Sequence, residues 1–148
     1  MSASANLNVF VYGTLKPGEV NYRICAPYVV AAQAAIVTGR VYHLPFGYPA
    51  MTIEEEGVVH GVLLSFASSE ILAILDEFEQ HDPATFEQLA PEQSLNENQY
   101  HRVLLKPFTP KQSPLGVAWG YVMNRQQIRC LQGQIVPGGR WSKNQQQL

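Results

Sequence analysis

Long apolar runs are missing from this sequence. Nowhere does it approach the roughly 18 consecutive apolar residues of a membrane-spanning helix. The first residues, MSASANLN, carry neither a basic patch nor an apolar stretch, so no secretion signal is expected there. Charge of one sign is also lacking. Ten Lys and Arg stand against 12 Asp and Glu, a net charge of -2, and the basic residues are scattered. A surface that tracks phosphates needs them clustered, so nucleic acid is not an expected partner. A small anion stays open, because backbone N–H groups can bind one without net charge. Cysteine is scarce: Cys25 and Cys130 lie far apart and neither belongs to a C-x-x-C pair. Two reduced, buried thiols in a cytoplasmic protein are expected. Neither His43, His60, His81 nor His101 stands at metal-ligand spacing from another ligand, so no metal is expected. G-x-S-x-G, G-x-G-x-x-G and the P-loop are all absent, which removes the hydrolase elbow and the commonest nucleotide cradles.

What is present suits one domain over residues 1–148. The 46% hydrophobic content is enough for a single core. Leu7 to Tyr12, Ala34 to Leu44, Gly57 to Phe66, Tyr100 to Lys106 and Gly116 to Met123 read as strands, several with an internal glycine. Gly39 marks a bulge or bend in the second. Asn21 to Val30 suits a short helix broken by Pro27, and Pro45 to Met51 reads as a loop. At Ser68 the period changes. Ile71, Ile74, Leu75 and Phe78 recur at helical spacing, with Ser68 or Ser69 as N-cap and a stop near Asp82-Pro83. Residues 80–99 read as a long polar surface loop, and both termini as frayed. About five strands to one firm helix, with glycines to bend the sheet, predict an α+β fold. Its expected form is a small mixed β-barrel with one or two flanking helices, and the alternative is an open, curved sheet.

Two places draw chemical interest. On a helix wheel Glu79 falls in the apolar arc with Leu72 and Leu75, while Asp76 lies on the flank and Glu77 faces solvent. Glu79 also stands at the helix C-terminus, where negative charge is disfavoured, one turn from Asp76. Those terms, with desolvation, raise a carboxyl pKa and suit a group that takes and gives a proton. The geometry equally allows the last turn to fray and Glu79 to reach water. The other place is VFVYGTLKP, Val9 to Pro17, where a strand runs into Gly13. The N–H groups of Gly13, Thr14 and Leu15 can form a nest for a carboxylate, although a plain turn fits the four residues as well. Tyr100 and Tyr121 stand on strands where each can carry a hydroxyl to a barrel mouth, and Trp119, Tyr121 and Trp141 read first as core aromatics.

The order of VYGTLKPGEVN, GYPA, LDEFE, YHR and WGYVM resembles the γ-glutamylcyclotransferase-like family, including the γ-glutamylamine cyclotransferases, from about Asn8 to Trp141. The resemblance implies a small mixed barrel and an intramolecular reaction. The α-amine of a γ-glutamyl group attacks its own γ-carbonyl, expels an amine and closes 5-oxoproline. It implies Glu79 as general acid/base. It also implies Tyr12, Gly13, Thr14 and Leu15 as the cradle of the γ-glutamyl end, with Tyr100 and Tyr121 at the substrate cavity. No cofactor or metal is implied. Gln80 departs from the pattern, since glycine commonly follows the glutamate, and the 80–99 stretch is longer than usual. The expectation is a γ-glutamyl cyclotransferase, cytoplasmic, monomeric or weakly dimeric, acting on a small γ-glutamyl compound, without membrane or nucleic-acid partners. The alternatives are a non-catalytic binding barrel of the same fold and, third, an interaction domain using the 80–99 loop.

Overall fold

The computed structural model describes residues 7–45, 47–79 and 100–142, with residues 78 and 79 described by backbone alone. The expected polar loop and the expected frayed ends lie outside the described residues. The elements are β1 (Leu7–Val11), β2 (Val29–Thr38), β3 (Arg40–His43), β4 (Pro49–Thr52), β5 (Val58–Phe66), α1 (Glu70–Glu79), β6 (His101–Leu105), β7 (Ala118–Val122), α2 (Arg125–Cys130) and β8 (Gln134–Ile135). Five strands form one sheet in the order β2-β5-β1-β7-β6, and three form another in the order β4-β3-β8.

β1 is the centre of the large sheet, antiparallel to β5 with Val9 opposite Leu64, and parallel to β7 with Val9 opposite Trp119. Both faces of β1 are covered. Val9 and Val11 pack with Leu64, Phe66 and the α1 residues Ile71 and Leu75. Phe10 and Tyr12 point the other way, into a core with Val41 and Met51 of the small sheet and with Trp141. A strand buried on both faces reads as a continuous apolar run rather than an alternation, which is the character of VFVY. Helix α1 carries its expected stripe: Ile71 and Leu75 are buried, Leu72 and Ile74 partly so, and Glu77 is exposed. The Ser68 hydroxyl accepts the Glu70 N–H at 3.1 Å, close to the expected cap.

The α+β class holds, but the barrel is corrected to two open sheets. The outer strands β2 and β6 do not pair along their length. The chain beyond β6 reaches β2 at one point, where Ile36 and Phe108 exchange both backbone hydrogen bonds, at 2.8 and 2.9 Å. Pro107, Pro110 and Pro114 surround that bridge, and a proline has no N–H to extend a ladder. The expected strand from Ala34 to Leu44 is two strands in different sheets. Gly39, at φ 152°, carries the chain between them, and a Cβ there would lie 2.5 Å from the Thr52 carbonyl oxygen. The expected loop through Pro45–Met51 ends in β4, with Pro49 at the strand's first position, where its missing N–H is tolerated. Asn21 to Val30 forms two 3-10 turns, Tyr22–Ile24 and Ala26–Tyr28, before β2 begins. Helix α2 was not expected, although Asn124 and Gln127 form a reciprocal capping box that was legible as N-x-x-Q.

One hydroxyl joins the sheets. Tyr12 donates to the Tyr121 carbonyl at 2.7 Å and accepts the Met51 N–H at 3.1 Å, tying the end of β1 to β7 and β4. Beside it the Met123 N–H donates to the Met51 carbonyl at 2.9 Å. No helix among the described residues is long and apolar enough to cross a membrane. Cys25 is buried as expected, but Cys130, on the outer side of α2, is exposed.

Replacing Tyr12 with Phe keeps the ring and leaves a buried carbonyl and a buried N–H each short of a partner. Unfolding in urea is expected to show a loss of about 2 kcal/mol. Burial pushes the Cys25 thiol up to about 11 from its ordinary 9.0. With the folded value above the unfolded one, its contribution is intact below pH 9.0 and disappears as the pH rises toward about 11. The expected loss is about 2–3 kcal/mol, absent in Cys25→Ala when stability is followed against pH. At pH 8, mass spectrometry after brief alkylation is expected to find Cys130 labelled and Cys25 unlabelled.

Candidate functional site

The seam between the two sheets opens into a cleft of about 450 Å³, including its open mouth. Its walls are Phe10, Val11, Tyr12, Gly13, Thr14 and Leu15 from the end of β1 and the turn after it, with Tyr48, Pro49, Tyr100 and Tyr121. The structure therefore brings Tyr12, Gly13, Thr14, Leu15, Tyr100 and Tyr121, scattered over the chain, to one place. Tyr48, Pro49 and Phe10 also line it and were not singled out in the sequence. Tyr48 and Pro49 belong to the Pro45–Met51 segment, which read as a loop and supplied the GYPA stretch of the family resemblance. Among the described residues no charged side chain lines the cleft.

The turn is shaped by close approach. A Cβ on Gly13 would lie 2.4 Å from Cγ of Pro49, so only glycine lets the chain pass against β4 here. The Gly13 carbonyl accepts from the Lys16 N–H at 3.1 Å, and the Thr14 carbonyl from Asn21 at 2.9 Å. Those bonds use the carbonyls of the turn. The N–H groups of Gly13, Thr14 and Leu15 donate to no backbone carbonyl among the described residues. Thr14 and Leu15 are themselves buried. Lys16, directly after the turn, donates from Nζ to the Trp141 carbonyl and holds the C-terminal segment against it. Burial pulls the Lys16 ammonium below its ordinary value, partly offset by Glu19. Trp141 is buried as expected, and its indole N–H donates to His43 Nδ1 at 2.9 Å.

The tyrosine hydroxyls are held by fixed acceptors. Tyr100 donates to the Pro49 carbonyl at 2.6 Å, and Tyr12 to Tyr121 as above. Tyr121 donates to Asp76 Oδ1 at 2.7 Å. That last bond brings α1 to the rim of the cleft, because Tyr121 lines it, and Asp76 lies three residues before the end of the helix. The backbone of Glu79 ends α1, and its side chain lies outside the described residues.

A model of the family described as γ-glutamyl cyclotransferase, AIG2-like, matches residues 9–143. The chain belongs to this family. A curated relative, the γ-L-glutamyl-butirosin B γ-glutamyl cyclotransferase of Niallia circulans, is 32% identical over 74 residues. The match spans 50% of this chain and 46% of that protein. Three solved structures share the fold. YkqA of Bacillus subtilis superimposes with a TM-score of 0.63 at 22% identity, over 95% of this chain and 41% of that one. The protein PH0828 of Pyrococcus horikoshii gives 0.61 at 13%, over 95% and 94%. An AIG2-like protein of Mus musculus gives 0.57 at 17%, over 93% and 88%. In this member of the γ-glutamyl cyclotransferase family the YGTL turn, Tyr100 and Tyr121 share one cleft.

Changing Gly13 to Ala forces a methyl group into the Pro49 ring, whose place is set by the β4 backbone. The variant is expected to lose about 1–3 kcal/mol in urea unfolding.

Proposed function

We propose that the protein is a γ-glutamyl cyclotransferase that releases 5-oxoproline and a free amine from a γ-glutamyl amine or γ-glutamyl amino acid. The observation that carries the proposal is the cleft itself. It holds a turn with three N–H groups outside the backbone ladder and Tyr121, whose hydroxyl bonds Asp76 of the helix that ends at Glu79, in a chain of this family. The γ-glutamyl group lies with its carboxylate toward the Gly13, Thr14 and Leu15 N–H groups and its chain curled between the rings of Tyr12, Tyr100 and Tyr121. Curling places the α-amine against the γ-carbonyl carbon, so that proximity supplies much of the rate.

Glu79 is the proton carrier of the reading. Its carboxylate removes a proton from the α-ammonium. The amine nitrogen then bonds to the γ-carbonyl carbon, and the carbonyl oxygen becomes an oxyanion met by hydrogen-bond donors of the site. As the tetrahedral centre collapses, Glu79 gives that proton to the leaving nitrogen and the bond from carbon to it breaks. The freed carboxylate then takes the second proton of the ring nitrogen and passes it to the departing amine, which leaves as an ammonium. Atoms and charge balance without a cofactor. The name of the Niallia relative supports a γ-glutamylated amine as the substrate class. The site is read as belonging to one domain that spans the chain and acts in the cytoplasm on small molecules.

Incubation with a panel of γ-glutamyl amines and γ-glutamyl amino acids is expected to release 5-oxoproline, detected by mass spectrometry. Glu79→Gln is expected to lower turnover by at least about 10²-fold while the thermal midpoint stays that of the wild type. Saturable binding of these compounds with no product from the wild type would overturn the proposal in favour of a binding protein of the same fold, a reading motivated by Gln80 in place of glycine.

A further inference from the structure

Helix α1 ends in a way that its own sequence does not stabilise. It has no basic residue in its last turn, and Asp76 and Glu77 place negative charge where the helix dipole disfavours it. Gln80 follows where a glycine would cap. The compensation comes from the large sheet. Asp76 Oδ1 accepts the Tyr121 hydroxyl of β7 at 2.7 Å, and Asp76 Oδ2 meets Arg102 Nη1 of β6 at 3.2 Å. Arg102 is placed in turn by Trp119 of β7, its guanidinium carbon 4.9 Å from the ring centroid. One carboxylate thus joins the helix to two strands, and each of its oxygens has its own partner.

Resting on the function proposed above, we propose that Asp76 is a positioning residue, holding the last turn of α1, whose backbone ends at Glu79, in register with the Tyr121 wall of the cleft during the proton transfer proposed for Glu79. Three features fit positioning better than plain stability. Asp76 is partly exposed, and so is Arg102, and such ion pairs add little to folding free energy. The Tyr121 phenol donates to Asp76 Oδ1 at 2.7 Å, which ties the setting of its ring to the helix. Asp76 lies three residues before the end of α1, so anchoring it sets where the backbone of the last helical turn stands relative to the cleft. Arg102 supplies from β6 the positive charge that the last turn of α1 lacks.

Asp76→Ala, Asp76→Asn and Tyr121→Phe test this in the full-length chain. Backbone amide exchange followed by mass spectrometry is expected to quicken about tenfold in the peptide ending α1 for Asp76→Ala, with the β1 and β5 peptides unchanged. With γ-glutamyl substrates, Asp76→Ala is expected to lower kcat roughly 10²-fold at nearly constant KM, and to displace the limb of the pH–rate profile that reports Glu79. Asp76→Asn, which can still accept the phenol, is expected to recover part of kcat, and Asp76→Ala with Tyr121→Phe together to cost no more than Asp76→Ala alone. Unchanged exchange in α1 would overturn the proposal, as would a fall in activity that only tracks the thermal midpoint. A wild type without turnover would refute the proposed function instead, and the exchange measurement would still decide whether Asp76 holds α1.

Discussion

The architecture of the site depends on the Tyr12 hydroxyl. It is the point at which the last residue of the central strand run meets backbone from both sheets, donating to Tyr121 and accepting from Met51. Without a partner, each of those backbone groups would be a buried polar orphan. With one, the end of β1 is fixed against β7 and β4 together. The turn that follows has one course open to it, past Pro49, and Gly13 is the residue without a Cβ that fits. The cleft is the space left where the sheets diverge beyond this pin.

That arrangement explains a division of labour among the tyrosines. Tyr12 and Tyr100 give their protons to backbone carbonyls, so their rings act as walls whose orientation the fold decides. Tyr121 gives its proton to a side chain on α1, so its hydroxyl ties the cleft wall to the helix. The sheets stay open for a related reason. Prolines beyond β6 withhold the donors that closure would need, and the chain touches β2 at a single bridge. An open seam with one strong pin can accept a ligand between its walls, whereas a closed small barrel is filled by its own side chains.

Electrostatics at the helix end are unusual in the same sense. A helix made only for stability would place a cation in its last turn. Here the last turn carries Asp76 and Glu79, and the cation stands on β6 as Arg102. The charge arrangement that costs local stability on α1 is thus offset from another element.

The family resemblance named residues that line the cleft, and the sequence by itself determined the class, the strand character of VFVY and the helix stripe of Ile71 and Leu75. Each rests on local rules: a strand buried on both faces is apolar throughout, and a helix core repeats at 3.6 residues. What Tyr12 bonds to, which side of the seam Tyr121 faces and whether the sheet closes were decided by partners more than thirty residues away, as with Met51 for Tyr12 and Asp76 for Tyr121. The split at Gly39 into two sheets was legible as a bend and no further, because a bend does not say which strand comes next to pair. Exposure of Cys130 and the capping box of α2 show the opposite case. The box was written in Asn124 and Gln127, while burial of a thiol depends on which face of that short helix the rest of the chain covers. Spacing along a chain specifies periodicity and turn chemistry; only tertiary packing chooses the acceptor for each hydroxyl and the cation for each carboxylate, and those choices shape this cleft.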